Sequence, residues 1–219
     1  MAHVPSFNEQ VKGLKEQIKN AIPSEISAVF FKEAEDLGLS DVAKNALKPG
    51  TKAPLFSLPD AAGNLISLTN ALSRGSVVLT FYRGVWCPYC NLQLKTYQEV
   101  LPQIQALGAT LIAISPNAPD HSLSMKEKHA LAYDVLSDFD NQIARQYKIV
   151  FTQSETVAAV GKALGADIAV FNGVATREIP VPATFIIDQQ GTIRFAFADG
   201  DYTKRIEPQT ILDVLATVK

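Results

Sequence analysis

Apolar residues recur at Phe7, Val11, Leu14 and Ile18, at spacings of four, three and four, with Glu, Gln and Lys filling the positions between. That period lays one apolar stripe along a helix. Pro23 breaks the pattern; Ser24, with Glu25 in the first turn, is expected to cap a second helix through "EISAVFFKEAEDLG". Ser40 is expected to cap a third, short helix ahead of "KPG" at 48–50. Residues 1–47 thus read as a helical arm. Its stripe has two readings: packing against its own domain, or service as a dimer contact or lid.

From residue 48 the pattern changes. "APLFSLPDAAGNLISL" reads as two short strands around an "AAGN" turn, and the continuous apolar run "SVVLTFY" as a central strand buried on both faces. Helical spacing returns in Leu92, Leu94, Tyr97, Val100, Leu101, Ile104 and Leu107, predicting a helix from Pro88 to Leu107, closed by Gly108 and bent at Pro102. "ATLIAIS" is another buried strand. A polar helix around "DHSLSMKEKHAL", a strand at "YDVLSD", a helix at "NQIARQY" and an alanine-rich segment "SETVAAVGKALGADIAV" follow. Paired strands "ATFIID" and "TIRFAFA" around "QQG" and a final helix "PQTILDVLATV" complete the chain. Strands alternating with helices predict an α/β layered fold, a central, mostly parallel sheet flanked by helices, with a C-terminal hairpin.

Composition narrows the function. With 219 residues, 47% of them hydrophobic, the chain has material for one main domain, residues 48–219, plus the arm. A net charge of -2 argues against nucleic acid or an anionic membrane as partner. The N-terminal stretch lacks a secretion-signal pattern and no apolar run is long enough to span a bilayer, so a cytoplasmic location is the expectation.

The candidate chemistry is "WCPYC". Both cysteines of the chain, Cys87 and Cys90, stand two residues apart where a buried strand gives way to a helix. Pro88 fits the first helical position, which places Cys87 at the cap and Cys90 in the first turn. Unpaired amides and the helix dipole favour thiolate there, and the spacing brings the two sulfurs within bonding reach. A zinc site would need further ligands, and His3, His121 and His129 have no ligand-like spacing to the pair; no metal is expected. His121 and His129 read as solvated helix residues.

"WCPYC" after "VVLTFY" resembles the redox turn of the thioredoxin superfamily, with the Cys-Pro-Tyr-Cys sequence of glutaredoxins. "PGTKAPLFSLPDAAGNLISL", "VVLTFYRG", "LIAISPNAPD", "DVLSDFDNQIARQYKI" and "ATFIIDQQGTIRFAFA" resemble, in order, segments of peroxiredoxins of the alkyl hydroperoxide reductase and thiol-specific antioxidant group. The resemblance implies a thioredoxin-like fold with a central mixed β-sheet. It also implies that Cys90 occupies the place of the peroxidatic cysteine, with Cys87 where that family has threonine and Arg83 where it has proline. Where the family carries an arginine ahead of "FIID", this chain has Pro182, the counterpart of the thioredoxin cis-proline. Arg83 is then the expected substitute for the missing charge, and Trp86 the expected shield of the sulfurs.

The expected function is reduction of hydrogen peroxide or organic hydroperoxides through a Cys87/Cys90 dithiol–disulfide cycle. Cys90 attacks, Cys87 resolves, and a thioredoxin- or glutaredoxin-type donor regenerates the pair, with no metal, haem or flavin. Two alternatives remain open: a protein or glutathione disulfide oxidoreductase with Cys87 as nucleophile, and a redox-sensing binding protein whose arm carries the output. A homodimer through the arm is a further expectation.

Overall fold

In the computed structural model, which describes residue 4 and residues 6–218, the chain opens with α1 (Phe7–Ala21) and α2 (Ser24–Leu39). His3 lies outside the described residues. A hairpin of β1 (Ser57–Pro59) and β2 (Leu65–Ser67) and the short α3 (Leu68–Leu72) lead to β3 (Val77–Phe81) and α4 (Pro88–Ala106). Then come β4 (Thr110–Ser115), α5 (Pro119–Lys128), β5 (Asp134–Ser137) and α6 (Gln142–Gln146). After β6 (Val150–Thr152), α7 (Glu155–Ala163), α8 (Ile168–Asn172) and β7 (Glu178–Pro180), the chain closes with β8 (Ala183–Ile187), β9 (Ile193–Ala198) and α9 (Pro208–Thr217).

The main sheet is mixed, with strand order β5-β4-β3-β8-β9. β3 pairs in parallel with β4, and β4 with β5, while β8 runs antiparallel to both β3 and β9. All five residues of β3 are buried because both faces of the sheet are covered. Alternation divides them: Val78 and Thr80, followed by Tyr82 just past the strand, face α4, whereas Val77, Leu79 and Phe81 point into the core beneath the β1–β2 hairpin, α3 and α6.

The arm's stripe is spent on its own chain. Phe7 and Val11 are buried in the same core as Leu94 and Tyr97 of α4 and Ile211 of α9, with Leu14 and Ile18 packed against it. The first amides of α1 are satisfied from the far end of the sequence: Phe7 and Asn8 N–H each donate to the Glu207 carboxylate at 2.9 Å.

Two local expectations need correction. Pro23, not Ser24, occupies the cap of α2, and Ser24 is its first residue. Ser40 closes α2 instead of opening a third helix: its hydroxyl donates to the Leu37 carbonyl at 2.7 Å. The segment after it holds one turn, Asn45 N–H to Asp41 C=O at 3.2 Å, because Pro49 follows too soon for a helix to propagate. β6 and β7 pair as a separate two-stranded sheet that the sequence pattern does not announce. No described helix is long and apolar enough to cross a membrane.

Candidate functional site

β3 ends at Phe81, and residues 82–86 turn the chain into α4. The turn depends on Gly84, whose φ is +149° and whose missing Cβ would collide with the Trp86 indole nitrogen. Val85 is held from both sides: its N–H donates to Asn117 Oδ1 at 2.8 Å, and its carbonyl accepts from Asn91 Nδ2 at 2.7 Å. His129 Nε2 lies 2.8 Å from Asn91 Oδ1. Contrary to the solvated reading, this half-buried imidazole helps to fix the turn that carries the cysteines.

Cys87 caps α4, Pro88 is its first residue and Cys90 lies in its first turn, as the spacing predicts. Both are free thiols, and both are buried. The Cys87 carbonyl accepts from the amides of Cys90 and Asn91, so the helix begins here with its remaining positive end at the sulfurs.

Two donors converge on one sulfur. Cys90 Sγ accepts from the Arg83 amide at 3.5 Å and from Arg205 Nη2 at 3.3 Å. Arg205 is itself fixed: its Nε donates to Gln93 Oε1 at 2.6 Å and its Nη1 to the carbonyls of Tyr202 and Lys204. Gln93 also donates to Tyr97 and Thr80, so a buried polar chain beneath α4 orients the guanidinium. Arg83 contributes its amide as well as the nearby charge expected of it. Its amide meets Cys90, but its guanidinium lies 3.7 Å from the Tyr202 ring and 5.0 Å from the Trp86 ring, with Nη2 3.6 Å from Glu33 Oε2 of the arm.

These contacts make the sulfurs unequal. Burial opposes ionisation of Cys90, but the Cys87 thiol, the Arg205 charge, and the amide and charge of Arg83 outweigh it and bring its pKa down to about 5. Cys87 moves the other way: burial and the adjacent Cys90 push its thiol well above the ordinary range against the pull of the two arginines. Both shifts favour the charge on Cys90 and the proton on Cys87.

Access has the opposite bias. A cavity of about 260 Å³ reaches Cys87 and does not reach Cys90. Arg83, Trp86 and Cys87 form part of its wall, and the arm contributes Ile18, Phe30 and Phe31. A larger groove of about 560 Å³ between α2 and α7 touches neither cysteine.

Pro182 corrects an expectation. It is buried at the entry to β8 and its carbonyl accepts from the Asp199 amide, but its peptide bond is trans and it does not line the cavity. The residues missed by sequence reasoning are Arg205, Gln93, Tyr202 and Glu33. One signal was present for Glu33: it shares an α2 face with Phe30, Ala34 and Leu37, an acid on an apolar stripe. Arg205 lies in an irregular loop and carries no such mark. Among the described residues, no group of three or more His, Cys, Asp or Glu side chains is arranged to hold a metal ion.

The chain is similar to known proteins. The family described as AhpC/TSA matches residues 49–196. A Mycobacterium tuberculosis relative, Rv2521, is 34% identical over 97 residues, which are 44% of this chain and 61% of that protein, so the match spans less than two thirds of its length. Peroxiredoxin Bcp of Escherichia coli K12 is 28% identical over 155 residues, 71% of this chain and 88% of its own. Among solved structures, peroxidoxin BcpB from Mycobacterium tuberculosis superposes with a TM-score of 0.62 at 21% identity, covering 79% of this chain and 99% of that one. The bacterioferritin comigratory protein of Xanthomonas campestris, studied for alkyl peroxide reduction, gives 0.55 at 16%, covering 74% and 88%.

Proposed function

The chain belongs to the AhpC/TSA family, and on that premise we propose that it reduces peroxides through its dithiol, with Cys90 as the attacking sulfur and Cys87 as the resolving one. The observation that carries this order is the convergence of the Arg83 amide and Arg205 Nη2 on Cys90 Sγ. The Cys90 thiolate attacks the terminal peroxide oxygen. The O–O bond breaks, the sulfur takes up the hydroxyl as a sulfenic acid, and the alkoxide or hydroxide leaves and is protonated. The Cys87 thiol then condenses with the sulfenic acid, forming the Cys87–Cys90 disulfide and releasing water.

Regeneration follows from the same asymmetry. A donor thiolate attacks Cys87, the sulfur at the cavity, and expels Cys90, the better leaving group because its thiolate is the more stable. A second donor thiol attacks the mixed disulfide and returns Cys87 to the thiol. A thioredoxin- or glutaredoxin-type protein is the donor proposed. Both sulfurs of the proposed cycle come from one chain, so the cycle needs no second copy.

A second reading, disulfide exchange with Cys87 attacking first, is favoured by one observation: the cavity opens on Cys87. Stopped-flow reaction of the reduced protein with hydrogen peroxide and with cumene hydroperoxide separates the two. Trp86, the single tryptophan, is the reporter. Oxidation much faster than that of a free thiol is expected in wild type and in Cys87→Ser and is expected to vanish in Cys90→Ser. Retention in Cys90→Ser and loss in Cys87→Ser would assign the attack to Cys87. A wild-type rate no higher than that of a free thiol would sink the peroxidase reading.

A further inference from the structure

Two arginines face two sulfurs, and they are not equivalently balanced. The hydrogen-bond partners of the Arg205 guanidinium are Gln93, two backbone carbonyls and Cys90 Sγ, so apart from the sulfur its contacts are neutral. Arg83 is instead matched by a carboxylate. Glu33 is buried on α2, and its Oε2 lies 3.6 Å from Arg83 Nη2, itself buried. Around Arg83 stand Glu33 from the arm, Cys87 and Cys90 from α4, and Tyr202 from the loop before α9. Tyr89 and Arg205 complete the ionisable groups at Cys87, and Asp201 faces Tyr89.

We infer that Glu33 is a positioning residue of the dithiol: by neutralising Arg83 it leaves Arg205 as the unopposed cation, so that one sulfur carries the charge and the other keeps its proton. Without Glu33 the pair would sit beside two uncompensated guanidinium groups, and Cys87 would lose the preference for its proton. A protonated Cys87 has two uses. It donates to the Cys90 thiolate before attack, and it supplies the hydrogen lost with water when the disulfide forms. Glu33 lies at position 33, outside residues 49–196, so this control comes from the arm and not from the segment shared with the family. The consequence for catalysis rests on the Cys90-first reading, but the charge assignment is measured without peroxide.

The test is a pH titration of thiolate absorbance at 240 nm in the full chain. Cys90→Ser isolates Cys87, and Cys87→Ser isolates Cys90. Adding Glu33→Gln to Cys90→Ser is expected to lower the Cys87 midpoint by about one pH unit or more, the effect of removing a charge close to a titrating group. Arg83→Gln is expected to raise it, leaving Glu33 as an unpaired anion. The double change Glu33→Gln with Arg83→Gln removes a buried ion pair as a unit and is expected to bring the midpoint back towards that of the parent. Glu33→Asp, which keeps the charge, is expected to stay near the parent. An unchanged or raised midpoint in Glu33→Gln overturns the proposal. Should that variant fail to fold, Arg83→Gln and the double variant decide: equal midpoints in those two would overturn it. Failure of the peroxidase reading would show in the stopped-flow rates of wild type and leave these midpoints untouched.

Discussion

Arg205 reaches Cys90 from 115 positions away, and its guanidinium is aimed by Gln93 before it meets the sulfur. A lysine there would present a point charge without the fork that holds Gln93 and the carbonyls while contacting Cys90. Replacing Arg205 with Gln removes a stabilising charge from a buried thiolate, so burial then dominates and the Cys90 midpoint climbs. The sign for activity follows. In wild type the peroxide rate should be level through neutral pH and fall as pH drops through about 5, where Cys90 takes up its proton. In Arg205→Gln that fall should move up to or beyond the range of an ordinary thiol, roughly 8.5, with a loss of about tenfold or more at pH 7. Rate against pH for both proteins checks this, and an unmoved acid limb would show that Arg205 does not hold the charge.

At the scale of elements, the parts that local pattern specifies came through and the parts specified at long range did not. "SVVLTFY" and "ATLIAIS" are legible because a strand buried on both faces must be apolar at successive positions, and β3 and β4 are. β6 and β7 are three residues each, too short to impose a period. The cysteine turn is legible because its chemistry is local: a cap, a proline and one helical turn. Arg205 and Glu33 meet the site only after folding, and Pro182 misled because a position in a resemblance carries no information about its own peptide bond. The clasp on α1 is another long-range device. Glu207 accepts from the amides of Phe7 and Asn8 and from the Ser6 hydroxyl, supplying a charged cap that Ser6 alone, at 3.3 Å from Glu9 N–H, provides weakly. Glu207→Ala should cost about 1–2 kcal/mol, the range for loss of a good helix cap. Chemical denaturation reads the loss, and hydrogen exchange should place it first in the amides at the start of α1; unchanged protection there would refute the clasp.

For the whole molecule, the arm and the sheet domain share one core beneath α4, and the arm also roofs the cavity over Cys87. Removing residues 1–47 would therefore strip cover from Leu94, Tyr97 and Tyr202 and leave Arg83 without its carboxylate. The truncated chain is expected to lose its cooperative thermal transition and expose apolar surface, read by calorimetry and dye binding; a sharp transition near that of the full chain would show the arm to be dispensable. The clasp between Glu207 and α1 also sets an order of events during synthesis. The α1 helix has its first amides answered by a carboxylate about 200 positions later in the chain. A domain normally begins to settle from its N-terminal end while translation continues. Here α1 must wait, unlatched, until Glu207 has been made, and the dithiol that the arm covers stays open for the same interval.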